Sequence, residues 1–285
     1  MTREILSVMI FLCLTLGVSG FTLHAAKRGR SGFIFGTFAS LAALLLLTID
    51  MGIDVVRHNA MPPPTSAACW LMLAVYFYAE FRTRSRILGT FFLPGVLLLD
   101  FFSLLADERL LKATPEGNSI VMIHVGLVIL SFALVALACA LGILYIRKVR
   151  ALKAHSPNAL DAALPPLEKL HGSLDISFNL GWAAMSSGIL LSLLIMPKTW
   201  EHFGNPKILA GLVLWLVYTS LFVLSYSRQV GPRAIARAST FLFAGYLLFF
   251  LFISFCPPAK AVADKPGSGK AQTDAKAKAS SPEAR

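Results

Sequence analysis

The stretch MIHVGLVILSFALVALACALGILYI, residues Met122 to Ile146, decides the fold of this chain. It contains no charged residue, and about 20 consecutive apolar residues are enough to cross a bilayer as an α-helix. Its third residue is a histidine, His124. A polar, metal-binding side chain is costly in lipid unless it lies near the surface or has a partner. The stretch therefore predicts a transmembrane helix that carries a paired or functional histidine at one end.

The whole chain has the composition of an integral membrane protein. Of its 285 residues, 56% are hydrophobic and 14% charged, whereas a soluble domain has about 25% charged residues. The net charge is +11, but the lysines and arginines fall between apolar runs and in a C-terminal tail. Because they do not cluster on one folded face, no nucleic-acid partner is expected. The four cysteines form no CxxC, zinc or CxxCH pattern, which argues against thioredoxin-like chemistry and a covalently bound c-type haem.

Eight apolar segments are long enough to cross a bilayer, so we expect an all-α membrane protein with about eight transmembrane helices. The first segment lacks a clear cleavage pattern and is interpreted as a helix and not as a signal peptide. Residues 1–256 should form this membrane domain, and residues 257–285, rich in Lys, Ala and Pro, a disordered tail. The predicted spans are approximately 4–26, 32–53, 64–81, 87–106, 119–146, 174–196, 207–227 and 238–256.

The orientation follows from the charges of the loops. Cytoplasmic loops are enriched in Lys and Arg. With eight spans, the loops after the first, third, fifth and seventh helices carry fourteen of these residues, and the opposite loops with the N-terminus carry six. The sequence therefore predicts that both termini lie outside. The tail adds six more cations to the outer side, but most of them lie too far from the membrane for the rule.

This topology places His124 close to the outer surface. At about 1.5 Å per residue, it lies within about 10 Å of the interface. Two interpretations are open from its position alone. His124 either bonds to a neighbouring helix or to interfacial water, or it is an axial haem ligand, because imidazole suits iron and an apolar slot between helices suits the macrocycle.

Two outer loops contain further candidate residues. The loop PKTWEHFGNPK, from Pro197 to Lys207, places Trp200 and His202 where they form either an ordinary aromatic belt or a surface for a flat aromatic ligand. Arg57, beside His58, could pair with a haem propionate, since guanidinium groups bind carboxylates in bidentate fashion. The alternative is a local ion pair with Asp54.

Four stretches resemble the cytochrome c assembly proteins of the CcsA, CcmC and HemX type, and together they cover about residues 55–255. FRTRSRILGTFFLPGVLLL (81–99) is similar to the family's basic loop and Leu-Pro helix, and MIHVGLVILSFALVALA to its His-Val helix. LPPLEKL (164–170), with Gly181 and Gly188 after it, resembles the linker and glycine-marked helix. NPKILAGLVLW, Asn205 to Trp215, resembles an eroded form of the tryptophan-rich signature.

The resemblance implies a haem-handling protein of cytochrome c biogenesis. His124 would be an axial ligand of a non-covalently bound haem b, with Trp200, His202 and Trp215 as candidate haem-contacting residues. The implied partners are apocytochrome c and a CcsB-like membrane subunit. The implied location is the inner (plasma) membrane of a bacterium, with the site facing the periplasm or outside. Such a protein would be a possible component of a cytochrome c haem lyase.

The sequence departs from the family at the second ligand. Where haem-ligating members have an outer histidine after the last helix, LFISFCPPAK offers only Cys256. His202, His58 and Cys256 are therefore the candidates for a second ligand. The alternative is a HemX-like accessory protein without catalysis of its own, which affects haem synthesis, haem supply or the stability of a partner complex. A transporter is disfavoured because paired broken helices and a mid-membrane acidic relay are absent from the sequence.

Overall fold

The computed structural model describes residues 3–27, 30–58, 64–83, 87–105, 119–154, 164–195, 206–227 and 229–255. These ranges contain eight α-helices and no strand, which confirms the all-α prediction. The predicted tail, residues 257–285, lies outside the described residues. The helices are α1 (Arg3–Lys27), α2 (Arg30–His58), α3 (Pro64–Thr83), α4 (Leu88–Leu105), α5 (Ser119–Lys153), α6 (Leu167–Ile195), α7 (Pro206–Tyr226) and α8 (Pro232–Phe255).

Six of these helices are long and apolar enough to cross a membrane: α1, α2, α5, α6, α7 and α8. In α4 a shorter apolar stretch, Leu88–Phe101, is found, and it contains the predicted internal proline, Pro94. The aromatic hydroxyls and Glu80 of α3 lower the mean hydropathy of that helix. Large apolar side chains such as Phe38, Leu45 and Phe241 are exposed on the bundle surface, as expected where lipid is the solvent.

Several helices extend beyond the apolar segments from which they were predicted. Helix α5 ends at Lys153 instead of 146, α6 begins at Leu167 instead of 174, and α8 begins at Pro232 instead of 238. Hydropathy marks only the part of a helix that lies in hydrocarbon. The backbone hydrogen bonds of a helix continue into the interface, where polar side chains are solvated. The end of LPPLEKL therefore belongs to α6 and not to a linker.

Helix α5 is the central helix of the bundle. In its most apolar window 72% of the residues are buried, against 6 to 33% in the other five candidate spans. It packs most extensively on α6 and also contacts α8, α3 and α4. This burial on all sides explains why residues Met122 to Ile146 are apolar around the whole circumference of the helix.

Small residues allow the close approach of two helix pairs. A Cβ added at Gly142 of α5 would lie 2.8 Å from the carbonyl oxygen of Ala236 in α8. Gly20 of α1 is equally close to the backbone of α2. Membrane helices associate through such small-residue contacts, because lipid supplies no hydrophobic drive between them.

Candidate functional site

His124 bonds to the backbone of the neighbouring helix. It is the second residue of the span Ile123–Lys153 and is half-buried. Its Nδ1 lies 2.7 Å from the carbonyl oxygen of Gly188 in α6. A carbonyl only accepts, so Nδ1 carries the hydrogen and donates it. The other ring nitrogen, Nε2, has no partner among the described residues, and in the tautomer with the hydrogen on Nδ1 it offers an electron pair.

The contact between α5 and α6 repeats after seven residues. About two helical turns further into the bundle, Ser131 donates a hydrogen bond of 2.8 Å to the carbonyl oxygen of Gly181. A Cβ at Gly188 would meet Leu127 and Val128 at 3.4 and 3.5 Å, and a Cβ at Gly181 would meet Leu134 and Val135 at the same distances. Seven residues are nearly two helical turns, so His124 and Ser131 lie on one face. A Cβ at either glycine would meet the side chains of α5 at ordinary van der Waals distances, so that α6 packs on α5 there with its carbonyls within reach of His124 and Ser131.

Ser131 also belongs to a buried hydroxyl cluster at the centre of α5–α8. Its Oγ lies 2.7 Å from the hydroxyl of Tyr246 in α8. The ring of Tyr246 packs edge-on against Tyr218 of α7, with centroids 6.4 Å apart. The Tyr218 hydroxyl donates to the carbonyl oxygen of Phe178 in α6 at 2.6 Å. Ser131, Tyr218 and Tyr246 thus join four helices below His124, and their hydroxyls are satisfied without water.

The hydroxyl of Tyr246 should contribute modestly to stability. Replacing Tyr246 with phenylalanine keeps the ring but removes its bond to Ser131, which still bonds to Gly181. We expect a loss of about 1 kcal/mol in the free energy of unfolding, the usual scale for one interhelical hydrogen bond. Unfolding of the detergent-solubilised protein by SDS titration measures it. Tyr226→Phe, at an exposed tyrosine, is the matched control, and an equal loss in both variants would contradict the role of the cluster.

Trp215 lies at a similar height along α6 to His124, but it contacts α6 from α7 and not from α5. Its indole nitrogen donates to Ser186 Oγ of α6 at 3.0 Å. Ser186 and Gly188 are two residues apart, or about 200° around the helix. His124 therefore occupies the α5–α6 contact and Trp215 the α6–α7 contact. The structure has no ring contact between the two side chains.

The other predicted site residues fall where the structure gives no side-chain position. Trp200, His202 and Cys256 lie outside the described residues. Arg57 and His58 are the last two residues of α2, and only their helical backbone is described. The predicted aromatic surface beside His124, and the candidates for a second ligand, thus stay predictions.

One aromatic contact was not anticipated from the sequence. The indole of Trp182 in α6 stacks on Phe222 of α7, with ring centroids 3.8 Å apart and planes 4° from parallel. Its nitrogen donates to Thr219 at 3.1 Å. This contact joins α6 and α7 about one helical turn further along α6 from the bond between Trp215 and Ser186. The spacing of Trp182 in an apolar run gave no sign of the partner, because the register of two helices is not encoded locally.

The donor set at His124 fits a metal that is already held by a macrocycle. Among the described residues, no group of three or more His, Cys, Asp and Glu side chains could hold a metal ion. A single imidazole with a fixed tautomer is instead what an axial haem ligand requires. A half-buried position near one end of the bundle leaves access from that end.

The fold and this site define a multi-pass helical membrane protein with a half-buried, hydrogen-bonded histidine near one end of the bundle. The sequence profile described as "Cytochrome C assembly protein" matches residues 58–258, more than half of the chain. The chain belongs to the cytochrome c assembly protein family. Helices α3 to α8, and with them His124, lie within the matched region.

Curated relatives of the chain carry the name cytochrome c biogenesis protein CcsA. The chain is 24% identical to that of Heterosigma akashiwo (strain NIES-293 / 8280G21-1) over 188 residues, or 53% of this chain and 58% of the relative. It is 21% identical to that of Guillardia theta over 238 residues (74% and 79%), and 29% identical to that of Chlorella vulgaris over 156 residues (50% and 49%). The chain thus covers little more than half of the first relative. No solved structure matches it significantly.

Proposed function

We propose that this protein holds haem b non-covalently at the outer membrane face and delivers it to apocytochrome c during cytochrome c biogenesis. The observation that carries the proposal is the 2.7 Å bond from His124 Nδ1 to the Gly188 carbonyl. Membership of the cytochrome c assembly family supports it. The proposal further includes an inner-membrane location with the site facing the periplasm, in agreement with the charge of the loops.

The chain's own contribution would be to bind and orient. The hydrogen bond to Gly188 fixes the tautomer and the ring plane of His124 and makes Nε2 a better electron-pair donor. Close packing of α6 on α5 keeps this acceptor within reach of the ring. Bound haem supplies the vinyl groups that react with the CxxCH thiols of an apocytochrome. A fixed orientation lowers the entropic cost of bringing these groups together.

The rest of the site would come from the outer loops. Trp200 and Trp215 are proposed to contact the macrocycle, Arg57 to pair with a propionate, and one of His202, His58 and Cys256 to supply the second axial ligand. An apocytochrome c and a CcsB-like membrane subunit are the proposed protein partners. With these partners the protein would form part of a haem lyase that makes thioether bonds.

The absorbance spectrum of the purified protein, oxidised and reduced, tests the proposal. The wild type should show a Soret band, and His124→Ala should lose it or shift it, because the iron loses its ligand. His171→Ala is the matched control. His171 is also half-buried but lies near the start of α6, beside Asp175 at 3.4 Å. A wild type that stays free of haem after reconstitution, or a spectrum that is the same in His124→Ala, would refute haem ligation by His124.

A second candidate function is favoured by the sequence after α8. Cys256 stands where haem-ligating relatives of the CcsA type have an outer histidine, and the tryptophan-rich signature is eroded. A HemX-like accessory protein that affects haem synthesis, haem supply or the stability of a partner complex would need no second ligand. Absence of haem from the wild type, together with lower cellular haem or a less stable partner complex upon deletion, would favour this function.

A further inference from the structure

Two surface grooves meet at one arginine near the start of α8. The first, of about 870 Å³, runs between α7 and α8 and is lined almost entirely by apolar side chains such as Leu209, Val213 and Phe249. The second, of about 740 Å³, lies between α4, α5 and α8. Arg237 and Phe241 of α8 line both grooves, so that the two adjoin at these residues.

The second groove is basic. It is lined by Arg147 and Arg150 of α5 in addition to Arg237. Among the described residues, neither Arg150 nor Arg237 has a carboxylate within ion-pair distance. The neighbouring Lys148 is used differently, since its Nζ donates to the carbonyl oxygens of Leu164 and Pro165 at 2.7 Å each. Arg150 and Arg237 therefore supply planar donors for an anion, while the lysine supports the segment before α6.

The first groove has the shape and surroundings of an acyl-chain site. Its lining residues on α8 extend from Ala234 to Phe252, a distance of about 27 Å at 1.5 Å per residue. One leaflet contributes about half of a hydrocarbon core of about 30 Å. An acyl chain that starts at Arg237 would therefore fit within the groove. The groove opens on the surface of α7, the least buried of the candidate spans, so that its occupant must come from the membrane itself.

We propose that Arg147, Arg150 and Arg237 bind the phosphate of an anionic phospholipid, and that one of its acyl chains lies in the groove between α7 and α8. A soluble anion would use the arginines but leave the apolar groove unoccupied. A lipid without a phosphate would fill the groove but leave Arg150 and Arg237 at the hydrocarbon boundary without a counter-charge, which is costly. A zwitterionic lipid brings its phosphate together with an ammonium group, which the arginines repel. Basic pockets between transmembrane helices are typical sites for anionic headgroups.

This site is distinct from the proposed haem site. Arg147 and Arg150 lie near the end of α5, whereas His124 lies near its beginning, more than twenty residues away along the same helix. At 1.5 Å per residue the separation is more than 30 Å. The lipid would bind at the end of the bundle with the more basic loops, which the charge rule assigns to the cytoplasmic leaflet. It would fasten α8 to α5 and α7 at this end.

Native mass spectrometry of the full chain, loaded with phosphatidylglycerol or with phosphatidylethanolamine, tests the proposal. Phosphatidylglycerol should be retained more strongly, and Arg150→Ala/Arg237→Ala should weaken its binding by about tenfold, the effect of losing charge-assisted contacts of about 1.5 kcal/mol in total. Arg233→Ala is the matched control, because Arg233 is also exposed on α8 but lines neither groove. Arg237→Lys should keep part of the affinity.

Three results would overturn the proposal. The first is equal retention of the two lipids by the wild type. The second is an equal loss of phosphatidylglycerol binding in Arg233→Ala and in the double variant. The third is a Soret band that disappears in the double variant while the wild type binds no lipid. The last result would assign these arginines to haem propionates. Circular dichroism of each variant shows whether it is folded. If the double variant is not, Arg150→Gln and Arg237→Gln singly provide the comparison.

Discussion

Gly20→Leu is expected to separate α1 from α2 and to lower the free energy of unfolding by about 1–3 kcal/mol, the usual cost of overpacking. A Cβ at this position would lie 2.7 Å from both the Cα and the nitrogen of Gly36 and 3.0 Å from the carbonyl oxygen of Gly32. All three are backbone atoms of α2. No rotamer change can relieve the clash, so that the helices must move apart.

The displacement should extend beyond the α1–α2 pair, because the next residue of α1 is part of the core. Phe21 is fully buried, and its ring packs edge-on against Tyr76 of α3 with centroids 6.1 Å apart. Its carbonyl oxygen accepts a hydrogen bond of 3.2 Å from Thr90 of α4. Moving α1 therefore loosens its contacts with α3 and α4 as well.

Thermal unfolding in detergent, followed by circular dichroism, measures the effect. Gly52→Leu is the matched control. It makes the same substitution in a helix of the same pair, where no atom lies within 4 Å of the added Cβ. Both variants gain the helix propensity that glycine lacks, so that a difference between them reports the close contact alone. If the two midpoints agree, the α1–α2 approach is not as tight as described.

The sequence predicted the eight helices of the described residues because lipid imposes a simple rule on it. Every backbone polar group must be satisfied within the span, and an uncharged run such as Met122–Ile146 then has one solution. The same rule could not predict that α6 begins at Leu167. The first turns of this helix contain Glu168, Lys169 and His171, and such polar residues hide the start of a helix from a hydropathy pattern.

The sequence predicted which residues are candidates for the site better than it predicted their contacts. The position of His124 in the apolar run indicates a paired or functional histidine, and Gly181 and Gly188 resemble the glycines that mark this helix in the family. That Gly188 would offer its carbonyl to His124 depends on the register between α5 and α6, which is set by packing along both helices. Trp215 was expected at the haem, but the described bond of its indole is to Ser186. The indole nitrogen of Trp215 is used in this bond, so that the proposed contact with haem would involve the face of the indole ring.

Under the proposed haem ligation, His124→Gly should lose the Soret band and regain it when imidazole is added. Removing the side chain leaves a space at the α5–α6 contact, with the Gly188 carbonyl still directed into it. A free imidazole can donate to this carbonyl and present its other nitrogen to the iron, as His124 is proposed to do. The cost of glycine in a helix, about 1 kcal/mol relative to alanine, is small beside the loss of an axial ligand.

His124→Gln separates the space from the chemistry. Glutamine fills the position and can donate its amide hydrogen to Gly188, but it does not offer the imidazole nitrogen that suits haem iron. We therefore expect no Soret band in this variant with or without imidazole, and no large change in its thermal midpoint. Recovery in His124→Gly alone would assign iron ligation to this position. Equal recovery in both variants would mean that imidazole reaches the iron elsewhere, and a Soret band that persists in His124→Gly without imidazole would mean that the iron is held by other side chains.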